Sequence, residues 1–528
     1  MKITSLLFLS SFISILLHAQ KPGAAIDVKH YEFAITLSDT TNKIKGRAAI
    51  DISFIKNSQT ITLDLVSINN NNKGMAVLQV TENGHPLSYT HNDNLLTINF
   101  PATVKSGEQK NIVINYEGIP ADGLIITNNK YGHRGFFADN WPNRAHNWFP
   151  CIDHPADKAT IDFIVTAPDH YQVISNGIKT EEAEAGDKLH RTHYKETVPL
   201  STKIMVIGVA DFAVQQSGTV NNIPVYSWVY PEEKEKGFYD YALAVDILPF
   251  FIKNVGPYVF KKLANVESTT MFGGMENASA IFYSDEISIT GTRKSESLLT
   301  HEIAHQWFGD MATEADWSHL WLSEGFATYM TILYFENKYG ADTAKYMLLQ
   351  NRRTVIDFAR KRLHPVVDSS VTNYMELLNA NSYQKGGWAL HMLRRQLGDS
   401  LFWKGIRLYY SRFAGKNAIT ADLCKAMEDA SGSNLQQFFH QWLFVPGQPK
   451  LDIQWSYNND KKEINITVTQ QQNELFQFPL ELLAGTISKH VFIKDRQTSI
   501  TIPATEKPAT ITPDPNVNLL FEGSVHER

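Results

Sequence analysis

Runs of apolar residues at every second position recur between His30 and Tyr230, and from Pro231 to about residue 445 they do not, so no single regular architecture can hold the whole chain. Tyr31, Phe33, Ile35 and Leu37 lie at alternate positions, as do Ile50, Ile52 and Phe54, then Leu96, Ile98 and Phe100, then Ile161, Phe163 and Val165. Turn-forming stretches such as NNNNKG and TENGHP separate these runs, which is the pattern of half-buried antiparallel strands. After Pro231 the stretch EEKEKGFYDYALAVDILPFFIKNV reads as a helix that kinks or ends near Pro249. Further helices are expected around residue 301, over 341–363, 385–397 and 401–413, and from Thr420, as N-cap, to residue 430. A Pro/Gly break, VPGQPK, follows at 445–450, and alternation returns in LDIQW, EINITVTQ and SITIP. The expected fold class is multidomain α+β: an N-terminal antiparallel β domain over 20–230, a mostly helical domain over 231–445 and a small C-terminal β-sandwich over 446–528. A length of 528 residues requires this division, because single cores seldom grow beyond about 250–300 residues.

The 49 Lys and Arg stand against 55 Asp and Glu, so there is no basic field to collect phosphates, and nucleic acid is excluded as a partner. The opening MKITSLLFLSSFISILLHAQ has a positive start, an apolar run and Ala19 before a cut, the layout of an export signal over 1–19. The mature chain is therefore expected in a periplasm or outside the cell, with no stable membrane association after signal removal. Leu17 is bulkier than cleavage sites prefer at that position, which leaves an uncleaved anchor as the alternative. Cys151 and Cys424 are the only cysteines; two buried thiols are the simpler reading and a disulfide the other.

In SLLTHEIAHQWF, His301 and His305 are four residues apart in a helix-compatible run, which puts both imidazoles on one face. Two neutral imidazoles on adjacent turns can grip one zinc ion, and Glu302, about 100° around the helix, can bond a water there without ligating the metal. A solvated helix that merely carries histidines is the alternative, and a third ligand decides between them. Glu324, in HLWLSEGFATYM, sits among Trp321, Leu322, Phe326 and Tyr329, where a carboxylate is costly unless a cation satisfies it. Three protein ligands to one Zn2+ leave a fourth position for water, the arrangement of catalytic zinc. Glu302 as general base then suits hydrolysis of a peptide bond.

GGMEN (273–277), HEIAHQW and WLSEGFATY, in this order, resemble the zinc aminopeptidase family of aminopeptidase N, within the thermolysin-like gluzincins. NRAHNWFPCIDHPADKAT, NSYQKGG and FFHQWLFVPGQPKL extend the resemblance over nearly the whole mature chain. It implies a thermolysin-like catalytic domain acting on peptides with a free N-terminus. It also implies a substrate-binding stretch of Gly273, Gly274, Met275, Glu276 and Asn277, in which the glycines let a substrate strand approach and Glu276 binds its α-ammonium group. Tyr383 matches the tyrosine that donates a hydrogen bond to the tetrahedral oxyanion. A fixed anion near the metal lets only the first peptide bond reach the attacking water, which defines an exopeptidase.

Three departures accompany the resemblance. The family supplies a further amine-binding Gln or Glu before an Arg and FPC; here the stretch is two residues longer, and Asp139 is the candidate. Where relatives have an acidic group seven residues after the third ligand this chain has Thr331, so a ligand imidazole is expected to find another partner. Long relatives continue into a large helical domain, whose absence here predicts a more open entrance. His319 and His364 are expected to be structural. The competing functions are a zinc endopeptidase on the same centre and a catalytically inactive binding or scaffold protein on the same fold.

Overall fold

The computed structural model describes residues 24–528, so the expected export signal lies outside the described residues. An eight-stranded sheet dominates the N-terminal third. Its middle strand, Ile26–Thr36, runs antiparallel to Ile44–Phe54 and parallel to Lys158–Pro168, so the sheet is mixed at this one pair. The alternation read from the sequence selects its inner face: Tyr31, Phe33, Ile35, Ile50, Ile52, Phe163 and Val165 are all buried. Phe149 closes on Phe33 with ring centroids 4.4 Å apart, which fixes the segment that carries Asp139 and Arg144 against this core.

The period change at residue 231 does not mark a sheet boundary. Ala213–Val220 and Ile223–Val229 join Leu263–Ser268, Ala280–Ser284 and Gly274–Met275 in one five-stranded sheet beneath the helices. Period two identifies a strand but not its partner. Val225 pairs in parallel with Leu263, and parallel neighbours need a crossover, which Lys234–Tyr241 and Leu243–Asn254 supply. The break expected at Pro249 falls instead at Ala242, and Pro249 lies inside the second helix.

Further helices are Glu296–His305, Trp321–Tyr339, Ala341–Lys361, Gly386–Leu397, Asp399–Phe413 and Thr420–Ser431. Thr420 is not the N-cap of the last. Asp422 accepts from the Ile419 amide at 2.8 Å, while the Thr420 hydroxyl accepts from Trp321 Nε1 at 2.9 Å and meets His319 Nδ1 at 2.9 Å. His319 thus packs two helices together, and His364 bonds Asp368 at 2.9 Å; both serve structure. The C-terminal strands form one four-stranded and one three-stranded sheet, joined to the helical region by Arg352–Asp514 at 2.5 Å and by Trp442 against Phe476. Cys151 and Cys424 are both buried and unpaired.

Candidate metal centre and substrate cleft

The helix Glu296–His305 buries Leu299 and Ile303 and turns its histidines toward Trp321–Tyr339. Glu296 anchors its first turn by accepting from Lys338 Nζ at 2.5 Å and from the hydroxyls of Tyr334 and Tyr339 at 3.0 and 2.5 Å. His301 Nε2 and His305 Nε2 then come within 3.1 Å of each other, and each lies 3.3 Å from Glu324 Oε2. A tetrahedral zinc with bonds of about 2.0–2.1 Å separates its ligand atoms by about 3.3 Å, so the three atoms fit that ion. Among the described residues this is the one cluster of histidine, cysteine and carboxylate side chains close enough to share a metal.

The supporting contacts fit the same geometry. His305 Nδ1 meets the Phe308 carbonyl and Ser323 Oγ, each at 3.0 Å, which leaves Nε2 to face the cluster. Thr331 takes no part: its hydroxyl donates to the Ala327 carbonyl of its own helix. Burial opposes charging of His305, but the Glu324 carboxylate beside it overrides this and raises the imidazole above its ordinary value. Glu324 in turn is held below the ordinary carboxylate range by His305 and His301, against the burial that opposes it.

Glu302 is buried, and burial pushes its carboxyl well above the usual range; His305 opposes the shift, and Glu276 and Glu324 add to it. The carboxyl lies against Gly274, where an added Cβ would fall 2.4 Å from Glu302 Oε1. The glycine therefore makes room for the Glu302 carboxyl, a reason distinct from the approach of a substrate strand. Gly274–Met275 is the edge of its sheet, paired on one side with Phe282 and Tyr283, and its other edge has no strand partner in the sheet.

Glu276 lines the same cleft as His301, Glu302, His305 and Glu324, is almost fully buried, and has one carboxylate oxygen with no hydrogen-bond partner. Met275 is buried in the cleft wall, and Asn277 is buried behind it. Gln306, which the sequence did not single out, joins the two motifs: its amide donates to the Glu276 carbonyl at 2.7 Å and to Asp310 at 2.8 Å, and accepts from the Ser279 N–H at 2.9 Å. Its adjacency to His305 was the available signal, but spacing alone does not say what it touches.

Tyr383 enters from the turn Asn381–Lys385, its ring 5.9 Å from that of His301 and nearly parallel to it. Gly325 and Gly386 face each other so closely that a Cβ on Gly325 would fall 2.9 Å from Gly386 Cα, and this contact brings the Tyr383 turn against the Glu324 turn. Burial raises the phenol well above its usual value, with Glu324, Glu276 and Glu302 adding to the shift, so it stays protonated and able to donate.

Asp139 does not reach the cleft. It is fully buried behind the wall, one oxygen taking Arg144 Nη2 at 2.7 Å and the other Thr270 Oγ1 and the Met271 N–H at 2.9 and 3.1 Å. With both oxygens engaged it supports the approach to Gly273 and has none left for an amine. Trp141, two residues on, lines the cleft instead.

A paired-histidine and carboxylate centre beside a glutamate, under an edge strand, defines a metallopeptidase-type site. Residues 27–204 match the Peptidase M1 N-terminal domain and residues 239–442 the Peptidase family M1 domain. The chain belongs to peptidase family M1, the family of aminopeptidase N. It is 25% identical to a leucyl aminopeptidase of Saccharolobus solfataricus over 90% of this chain and 61% of that protein. It is 28% identical to the human glutamyl aminopeptidase over 61% and 35%, and 24% identical to a puromycin-sensitive aminopeptidase of Caenorhabditis elegans over 90% and 54%. The chain thus spans roughly a third to three-fifths of the length of these relatives.

Proposed function

We propose that this chain is an exported zinc aminopeptidase that removes N-terminal residues from peptides with a free amino end. The observation that carries the reading is Glu276: a buried carboxylate with an unpartnered oxygen, in one cleft with the His301, His305 and Glu324 cluster. Such an oxygen is costly to bury unless a ligand satisfies it, and the α-ammonium group of a peptide is a ligand of the right charge.

His301, His305 and Glu324 would hold one Zn2+, which when bound supplies a Lewis acid and an activated water. Glu302 takes a proton from the attacking water and returns it to the leaving amine. Tyr383 donates to the oxygen that gains charge at the scissile carbonyl. Glu276 fixes the ammonium end, so the first peptide bond is the one presented. Export rests on the charge and apolar pattern of residues 1–19; among the described residues no helix is long and apolar enough to cross a bilayer.

The test compares leucyl p-nitroanilide with its N-acetylated form, with and without a chelator. The free amine is expected to react at least about 100-fold faster, and Glu276→Ala to raise KM and narrow that gap. Glu302→Gln is expected to lower kcat by about 100- to 10,000-fold with the zinc content unchanged. Equal cleavage of the free and acetylated substrates would favour an endopeptidase. Sequencing of the processed protein is expected to begin at Gln20, and an intact Met1 on an active, membrane-held protein would reject the cleaved signal.

A further inference from the structure

We propose that the cleft selects peptides whose first residue carries a large uncharged apolar side chain, such as leucine, methionine or phenylalanine, and rejects acidic ones. The inference rests on the aminopeptidase reading for the position of the substrate, and on the cleft walls for its side chain. With the ammonium at Glu276 and the scissile carbonyl at the His301, His305 and Glu324 cluster, the first side chain leaves the backbone between them. The non-polar walls there are Trp141, Phe272, Met275, Leu298 and Leu378. The cleft they enclose holds about 250 Å3.

Among the described residues no lysine or arginine lines this cleft. Its ionisable groups are the two histidines, Glu276, Glu302, Glu324 and Tyr383, each with a role in the reaction. The neighbouring cations are already committed. Arg144 lies behind the wall, 5.8 Å over the Phe272 ring, held by Asp139 at 2.7 Å and Asp122 at 3.0 Å. Lys203 is buried and bonds Glu314 at 2.5 Å. A glutamate side chain entering the cleft would thus lose water, meet the carboxylates of Glu276 and Glu302, and find no lysine or arginine to pair with. A lysine would find no acid free of another task.

The aromatic wall is also fixed in place. Trp141 stands edge-on to Phe272 at 5.9 Å and to Trp317 at 5.7 Å, and Trp317 stacks on Tyr374 at 5.3 Å. Trp141 and Phe272, held by these ring contacts and lining the cleft, are accordingly the residues assigned to set the preference.

The zinc-loaded protein should be assayed on p-nitroanilides of leucine, methionine, phenylalanine, alanine, lysine and glutamate. The kcat/KM for leucine, methionine and phenylalanine is expected to exceed that for alanine and lysine by about 10-fold and that for glutamate by at least about 100-fold. Glutamate or lysine turned over as fast as leucine would overturn the proposal. Leu378→Arg, in a half-buried turn, is expected to raise the glutamate-to-leucine ratio at least about 10-fold. An unchanged ratio in that variant, with the leucine activity retained, would count against the wall. Trp141→Ala is expected to erase the preference for leucine over alanine. A binding readout separates this proposal from the peptidase reading: leucinamide should raise the Tm and the 1-amide of glutamate should not. That pattern without hydrolysis of any anilide would remove the peptidase and keep the apolar cleft; hydrolysis of all six alike would do the reverse.

Discussion

Gly274 and Glu302 meet at a distance that leaves no room for a methyl group, so the glycine sets where the Glu302 carboxyl sits. Gly274→Ala must push Glu302 aside, because the Cβ would lie 2.4–2.6 Å from three of its side-chain atoms. The expected result is a loss of kcat of at least about 100-fold with zinc content unchanged, read by single-turnover assay and metal analysis. At this scale the site was legible where spacing fixes direction. His301 and His305 share a helical face by arithmetic, and Glu302 follows from their positions. Glu324 needed the histidines to give it meaning. Asp139 was misplaced because sequence shows the presence of an acid and not its partners, and Arg144 and Thr270 had already taken it.

Two motifs far enough apart to belong to different elements act as one site through Gln306, which joins the metal helix to the strand and turn that carry Glu276. Gln306→Leu leaves the Glu276 carbonyl and the Ser279 N–H without their partner in a dry environment, at a cost of about 1–3 kcal/mol. Denaturant titration should show that loss. The KM for free-amine substrates should rise more than kcat falls, because the variant disturbs the amine end and leaves the metal ligands in place. The strands themselves were visible in the alternation of Tyr31, Phe33 and Ile35. The joining of Ile223–Val229 to Leu263–Ser268 was not, since it depends on a crossover that no local pattern encodes. The Thr420 cap failed for a related reason: a hydroxyl at a helix start caps only if no other group claims it, and Trp321 does.

Across the whole molecule, the N-terminal β region is fastened to the catalytic region by buried charge as well as apolar surface. Lys203 and Glu314 form an ion pair that is almost completely excluded from water, and Lys158 Nζ donates to the carbonyls of Asp310 and Met311 just beyond the metal helix. Lys203→Met leaves Glu314 buried without its cation and is expected to destabilise the protein by about 3–5 kcal/mol; adding Glu314→Leu should recover most of that loss in the same denaturant titration. The order of β-rich, helical and β-rich regions could be read from periodicity, while the ion pairs that join them link charged residues more than a hundred positions apart. Lys158 reaches the loop that directly follows the helix carrying His301 and His305. Diffraction at the zinc absorption edge from crystals of the zinc-loaded protein tests the metal centre directly: the account predicts one anomalous peak bonded to His301 Nε2, His305 Nε2 and the Glu324 carboxylate. A cleft without a peak, or a peak held by other side chains, would contradict it.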